Sequence, residues 1–117
     1  MLTIHTAKEY KDFGKNIKST ELFETCKSVI DTANAIDNLI EKINSDEDFK
    51  IVTLSKFVLT RIGMLISKRY IKCSNINIKF YNGKKDITEY SYNKEGGING
   101  LNLSVYSPKV KPYNFKK

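Results

Sequence analysis

The stretch NINIKFYNGKKDITEYSY, residues 75–92, decides the predicted fold. Its first seven residues alternate Ile or Phe with Asn, Lys or Tyr, which is the two-residue period of a half-buried β-strand. The Asn-Gly pair at 82–83 is a strong hairpin signal, and the residues that follow have the composition of a return strand. A two-residue turn would place Ile78 opposite Ile87. The segment therefore predicts an antiparallel β-hairpin.

On the C-terminal side of this hairpin, the pattern predicts a further strand and a basic tail. LNLSVY at 101–106 alternates Leu or Val with polar or aromatic residues and follows a glycine-rich turn at 94–100. Pro108 and Pro112 prevent the last segment from being a central strand. We therefore expect a three- to four-stranded antiparallel β-meander within residues 75–117.

On the N-terminal side, the pattern predicts helices. Thr6 and Glu9 have capping-box spacing and open a short helix. Between residues 20 and 44, apolar side chains recur in steps of four and three over three heptads, which predicts one long helix. A second apolar set predicts a helix over 49–71, although its first residues, FKIVTL, also fit a strand. The short acidic loop at 45–48 would join the two helices into an antiparallel hairpin.

These elements together predict a single α+β domain over residues 1–117. Its helical region, residues 1–72, would consist of a short helix plus a long antiparallel helical hairpin. The apolar face of the β-meander would pack on that hairpin. The heptad seam of the helix at 20–44 leaves two alternatives open, because it can pack within the chain or form a homodimer.

The composition argues against several classes of protein. The apolar fraction is 40%, which is too high for wholesale disorder, and no apolar run approaches the ~18 residues of a membrane span. The first residues lack the basic and apolar regions of a secretory signal, and neither cysteine has a partner at metal-ligand spacing. We therefore expect a cytoplasmic protein, or one of the host cytoplasm if a virus or phage encodes it. We expect it to have no metal, cofactor or membrane partner.

The sequence also lacks the usual constellations of catalytic residues. His5 is the single histidine, and no Ser or Cys stands at a motif spacing from it. The acidic residues cluster only at 45–48, where helix capping explains them. EGGING at 95–100 matches neither a P-loop nor a dinucleotide fingerprint. A non-enzymatic protein is therefore predicted.

The charge is distributed unevenly along the chain. Residues 68–117 contain eleven basic and three acidic residues, whereas residues 1–67 contain nine basic and ten acidic ones. Segregated positive charge attracts anions. If the aliphatic residues of the strands point inward, several Tyr and Lys side chains point outward, where rings stack on bases and ammonium groups bind phosphates. The basic and aromatic tail SPKVKPYNFKK at 107–117 has the same chemistry.

The candidate anion-binding residues belong to a basic helical stripe, the outward strand face and the tail. They are Arg61, Lys68, Arg69, Lys72, Lys79, Tyr81, Tyr90, Tyr92, Tyr106, Lys109, Lys111, Tyr113, Lys116 and Lys117. These residues predict a small binding protein for phosphate-rich ligands, either nucleic acid or a nucleotide. The alternative is a phage-type anti-defence or immunity-like inhibitor that masks an acidic host protein or sequesters a signalling nucleotide.

Overall fold

The computed structural model describes residues 1–23, 28–83 and 86–103, and it contains a five-stranded mixed β-sheet. The strands are β1 (Leu2–Ala7), β2 (Phe49–Thr53), β3 (Ile76–Tyr81), β4 (Ile87–Tyr92) and β5 (Ile98–Asn99). Their order across the sheet is β2-β1-β3-β4-β5. Strand β1 pairs in parallel with both β2 and β3, whereas β3–β4 and β4–β5 are antiparallel. The N-terminal strand therefore lies inside the sheet.

Three α-helices connect the parallel strands. The helices are α1 (Val29–Asp37), α2 (Ile40–Asn44) and α3 (Lys56–Ser67). Helices α1 and α2 form one bent segment between β1 and β2, and α3 leads from β2 to β3. Ser28 caps α1 by accepting the backbone N–H of Asp31 at 3.0 Å, and Ser55 caps α3 by accepting that of Phe57 at 3.1 Å. Among the described residues, no helix has the length and apolar character needed to cross a membrane.

Both faces of the sheet carry buried side chains. One face packs on the helices, and its cluster joins Leu2, Ile4, Ile76 and Ile78 of the strands to Ile36, Ile43, Leu59, Ile62 and Ile66 of the helices. The opposite face is covered in part by the segment between β1 and α1, through Phe13 and Ile17. These two side chains pack with Ala7, Val52 and Tyr81. Only part of this second face therefore remains polar and accessible.

The predicted antiparallel helical hairpin is wrong. Residues 2–7 lie within the region expected to be helical, but they form a strand. Residues 49–53 form the strand that the sequence FKIVTL left open as an alternative to helix. The long helix expected at 20–44 begins only at Val29, after the Ser28 cap, and a turn at 38–39 separates its two pieces. The short helix predicted to open at Thr6 is a 3-10 helix at Tyr10–Phe13 with Glu9 as its N-cap, and the Glu9 N–H donates to the Asp12 carboxylate at 3.3 Å. Thr6 lies in β1 instead.

The heptad seam does not form one continuous helix face. Ile36 and Ile43 are fully buried in the core of their own chain, whereas Val29 is 65% exposed and Ile30 is 73% exposed. Cys26, another member of the seam, lies outside the described residues. The homodimer predicted through a helix at 20–44 therefore loses the single helix on which it was based, and dimerisation stays an untested prediction.

The predicted β-meander is wrong as well, because the sheet is mixed and its centre is parallel. The β3–β4 hairpin exists, but Ile78 lies opposite Tyr90 rather than Ile87. The turn is longer than two residues, since the Asn82 N–H donates to the Asp86 carbonyl oxygen at 2.8 Å. The resulting shift of three residues is odd, so it moves the side chains of β4 to the opposite faces.

Candidate anion-binding cleft

The C-terminal end of α3 presents an arginine in an unusual backbone conformation. The helix ends at Ser67, and the N–H of Arg69 donates to the Ile66 carbonyl oxygen at 2.9 Å. The N–H of Tyr70 donates to the Leu65 carbonyl oxygen, also at 2.9 Å. These two bonds make a Schellman motif, in which the residue after the cap adopts a left-handed conformation that favours glycine. Arg69 has φ 68° at this position, so a residue with a Cβ occupies a locally strained conformation there.

Arg69 is part of the wall of a cleft of about 460 Å³. Its floor is apolar because Ile66 and Ile71 line it, and each of these side chains is only 3% exposed. Its exposed rim carries Arg69, Lys72 and Lys94, and the lining is completed by Ser74 and the half-buried thiol of Cys73. We call this cavity the basic cleft. It combines an apolar floor with three cations, which suits a ligand that has both a ring and an anionic group.

The cations of the basic cleft have no carboxylate partners within the described residues of the chain. The ion pairs there join Asp48 to the N-terminal amine, Lys11 to Glu9, Lys42 to Glu47, Lys50 to Glu21 and Arg61 to Asp37. Positive charge at a helix C-terminus is favourable by itself, which explains a cation at Lys68 or Arg69. Lys72 and Lys94 lie off the helix, so the helix dipole does not explain their presence beside the same apolar floor.

Lys94 is the residue of the basic cleft that the predicted set did not contain. It lies in the turn between β4 and β5, and antiparallel pairing brings the end of β4 next to the start of β3. The hairpin signal at 82–83 already implied this proximity, since counting outward from a two-residue turn places Lys94 opposite Ile71, which also lines the basic cleft. The prediction missed it because the residues were grouped by strand face rather than by the end of the sheet.

The basic stripe predicted on the third helix separates into two groups. Lys68, Arg69 and Lys72 are exposed at the end of α3 and in the segment after it, and Arg69 and Lys72 both line the basic cleft. Arg61 is engaged elsewhere, because its guanidinium makes two hydrogen bonds to the Asp37 carboxylate. This contact ties α3 to α1, so Arg61 serves packing of the helices rather than the rim of the basic cleft.

The structure does not bring the predicted tyrosines together on an outward face. Tyr92 is 4% exposed on the helix side, where its hydroxyl donates to the Leu59 carbonyl oxygen at 2.6 Å. Tyr90 is half-buried on the same side and meets Phe80 edge to face at 6.3 Å between ring centroids. Tyr81 is buried on the opposite side. The register shift in the hairpin and the cover over the second face account for these positions.

The other predicted residues lie in two further places. Lys79 is half-buried on the second face of the sheet, across from Glu89. The predicted tail residues lie outside the described residues, and they are Tyr106, Lys109, Lys111, Tyr113, Lys116 and Lys117. The tail therefore stays a prediction.

A second polar group surrounds the single histidine on the second face. His5 Nδ1 lies 2.8 Å from the Tyr81 hydroxyl, and both side chains are at least half-buried. Burial lowers the pKa of His5 from its usual 6.5, and the nearby charges of Lys50 and Lys79 lower that pKa further, against a smaller opposing effect of Glu21. Burial also raises the pKa of Tyr81. The neutral imidazole is therefore the form that fits this site.

Replacing His5 by glutamine should remove a pH dependence of stability. Because the folded pKa lies below the unfolded value of 6.5, the unfolded chain binds the proton more readily, and stability is lost as the pH falls below about 6.5. When the pH is lowered from 7.5 to 5.5, the Tm of the native chain should therefore fall more than the Tm of His5→Gln. Thermal melts across this range measure it, and a Tm difference that does not change with pH would contradict the assignment.

No group of three or more His, Cys, Asp or Glu side chains that could hold a metal ion occurs within residues 1–23, 28–83 and 86–103. Comparisons with protein-family models, curated proteins and solved structures found no match to this chain. Function is therefore inferred from the geometry and charge of the basic cleft.

Proposed function

We propose that this chain is a small binding protein for phosphate-bearing ligands, nucleotides or nucleic acid, and that the basic cleft holds the phosphate. The observation that carries the proposal is the convergence of Arg69, Lys72 and Lys94 on one apolar floor, without carboxylate partners among the described residues. Hydrogen bonds from guanidinium and ammonium groups to phosphate oxygens are charge-assisted and strong. In this proposal the protein binds its ligand without catalysing a reaction. It acts in the cytoplasm, or in the host cytoplasm if a virus or phage encodes it, where such ligands are abundant.

The alternative from the sequence, an inhibitor that masks an acidic host protein, would use the same cations. It makes no use of the cavity between them, since carboxylates on a protein surface need no apolar cavity. The cleft shape therefore favours a ligand that enters it. Residues of a single chain line the basic cleft, so the proposal does not require a homodimer.

The direct test measures ADP binding by calorimetry at low salt. Each charge-assisted hydrogen bond contributes about 1.5–3 kcal/mol, so the double variant Lys72→Ala/Lys94→Ala should bind ADP at least about tenfold more weakly. Lys8→Ala/Lys15→Ala removes the same charge from exposed positions outside the basic cleft, and it should keep the affinity within about twofold. If both double variants lose the same amount of ADP affinity, the effect is due to net charge and the proposal is contradicted. The absence of ADP binding to the native chain would also contradict it.

A further inference from the structure

A second cavity of about 400 Å³ adjoins the basic cleft and shares two of its cations. Arg69 and Lys72 line both cavities, whereas Asn44, Tyr70 and Asn75 line only the second one. We call the second cavity the amide cavity. The pair of cavities therefore has positive charge where the two meet and different chemistry on either side. Each volume falls within the roughly 300–1,000 Å³ of small-molecule sites.

The amide cavity offers an aromatic ring and fixed polar groups. Tyr70 is 58% exposed, which is unusual for a large ring and leaves it free to stack. Asn44 donates to the Tyr70 carbonyl oxygen at 2.8 Å, and Asn75 donates to the Asn44 side-chain oxygen at 3.2 Å. These bonds hold both amides in defined orientations. Oriented amides and a stacking ring are the groups that recognise a base by its edge and its plane.

We infer that the basic cleft and the amide cavity together bind a free dinucleotide, with its linking phosphate between Arg69 and Lys72, an inference that rests on the proposed function. One nucleoside lies on the Ile66 and Ile71 floor beside Lys94, and the other stacks on Tyr70. A mononucleotide fills one cavity and leaves the other empty. The cations placed between the two cavities, rather than at the outer end of one, are the feature that selects a ligand with a central phosphate.

The test compares three probes by calorimetry: the dinucleoside monophosphate ApA, AMP and inorganic phosphate. ApA should bind at least about tenfold more tightly than AMP, which is the factor expected for one additional base–ring stack, and phosphate should bind most weakly. The variant Tyr70→Ala should lower ApA affinity about tenfold and leave phosphate binding unchanged. Tyr70→Phe keeps the ring and should keep ApA affinity. ApA that binds no more tightly than AMP, or that ignores Tyr70→Ala, would overturn the inference.

A second readout reports occupancy of the other cavity. Cys73 lines the basic cleft but not the amide cavity, so iodoacetamide labelling of Cys73 in a Cys26→Ser background measures access to the floor. Saturating ApA should slow this labelling several-fold, and phosphate should not. Unchanged labelling with bound ApA would overturn the two-cavity arrangement.

The same experiments separate the inference from the function on which it rests. If AMP and phosphate bind and depend on Lys72 but ApA gains nothing, the inference is wrong and the proposed function stands. If none of the three probes binds, the proposed function fails together with the inference. A twelve-nucleotide single strand that binds far more tightly than ApA would overturn the free dinucleotide in favour of nucleic acid.

Discussion

Replacing Gly63 by alanine is expected to lower the free energy of unfolding by about 2 kcal/mol and the Tm by about 8 °C. Gly63 lies in the middle of α3 and directly contacts the turn between β4 and β5, where an added Cβ would overlap the Gly96 carbonyl oxygen. The obstacle is backbone, so the turn has to move. Overpacking of about 3 kcal/mol is offset by about 1 kcal/mol from the better helix propensity of alanine.

The same substitution should weaken ADP binding, because Lys94 belongs to the displaced turn and lines the basic cleft. Thr60→Ala is the matched control, since Thr60 is exposed on the same helix and its replacement should leave Tm and affinity nearly unchanged. Thermal unfolding and calorimetry below the transition separate the two effects. A Gly63→Ala variant as stable as the control would show that α3 and the turn are not in backbone contact.

Replacing Arg69 by glycine is expected to shift stability and binding in opposite directions. Glycine adopts the left-handed conformation of this position without a Cβ penalty, so the free energy of unfolding should rise by about 1 kcal/mol and the Tm by about 4 °C. The loss of the guanidinium should weaken ADP binding at least about tenfold. A variant that is more stable but binds more weakly is the pattern of a residue retained for function at a cost in stability.

Arg69→Ala separates strain from charge. Alanine keeps the Cβ, so it should bind ADP as weakly as the glycine variant but without its gain in Tm. If Arg69→Gly retains the native affinity, Arg69 does not hold the phosphate. If its Tm falls instead, the left-handed conformation at this position is not a source of strain.

Local signals in the sequence predicted β3, the β3–β4 connection and α3, but not β5, which lies within the predicted turn at 94–100. The alternation in residues 76–81 identified β3, and the Asn-Gly pair identified the β3–β4 connection. The apolar spacing within residues 56–67 matches α3, whose buried side chains include Ile62, Leu65 and Ile66. In β3 and α3 the side chains that are buried in the structure follow the apolar period of the sequence, so the sequence alone was enough to identify these elements.

The N-terminal half was predicted wrongly because its polar residues are ambiguous. LTIHTA at 2–7 lacks the continuous apolar run typical of a buried parallel strand. In the structure its polar residues are accommodated nevertheless, because Thr6 is fully buried and His5 makes a side-chain hydrogen bond. The heptad spacing at 20–44 was regular, but Ser28 acts as a cap within it. The sequence does not show whether a serine within such a pattern caps a helix, whereas the Ser28–Asp31 hydrogen bond does.

The candidate site was only partly predicted. Lys68, Arg69 and Lys72 were identified by their spacing on a helix, which is a local property. The tyrosine face depended on an assumed two-residue turn, and the observed register, with Tyr81 opposite Ile87, places Tyr90 and Tyr92 on the core side. The positive φ of Arg69 could not be predicted, because a helix C-terminus usually carries glycine there.

Phosphate binding at the basic cleft is tested most directly by an amide NMR titration of the ¹⁵N-labelled chain with ADP. The largest chemical-shift changes should fall on residues 66–75 and 93–96, which carry the floor, the cations and the adjoining turn of the basic cleft. Saturable changes confined to other regions of the chain, such as the His5 face or residues 104–117, would contradict the assignment of the site. A titration that produces no saturable change would contradict phosphate binding itself.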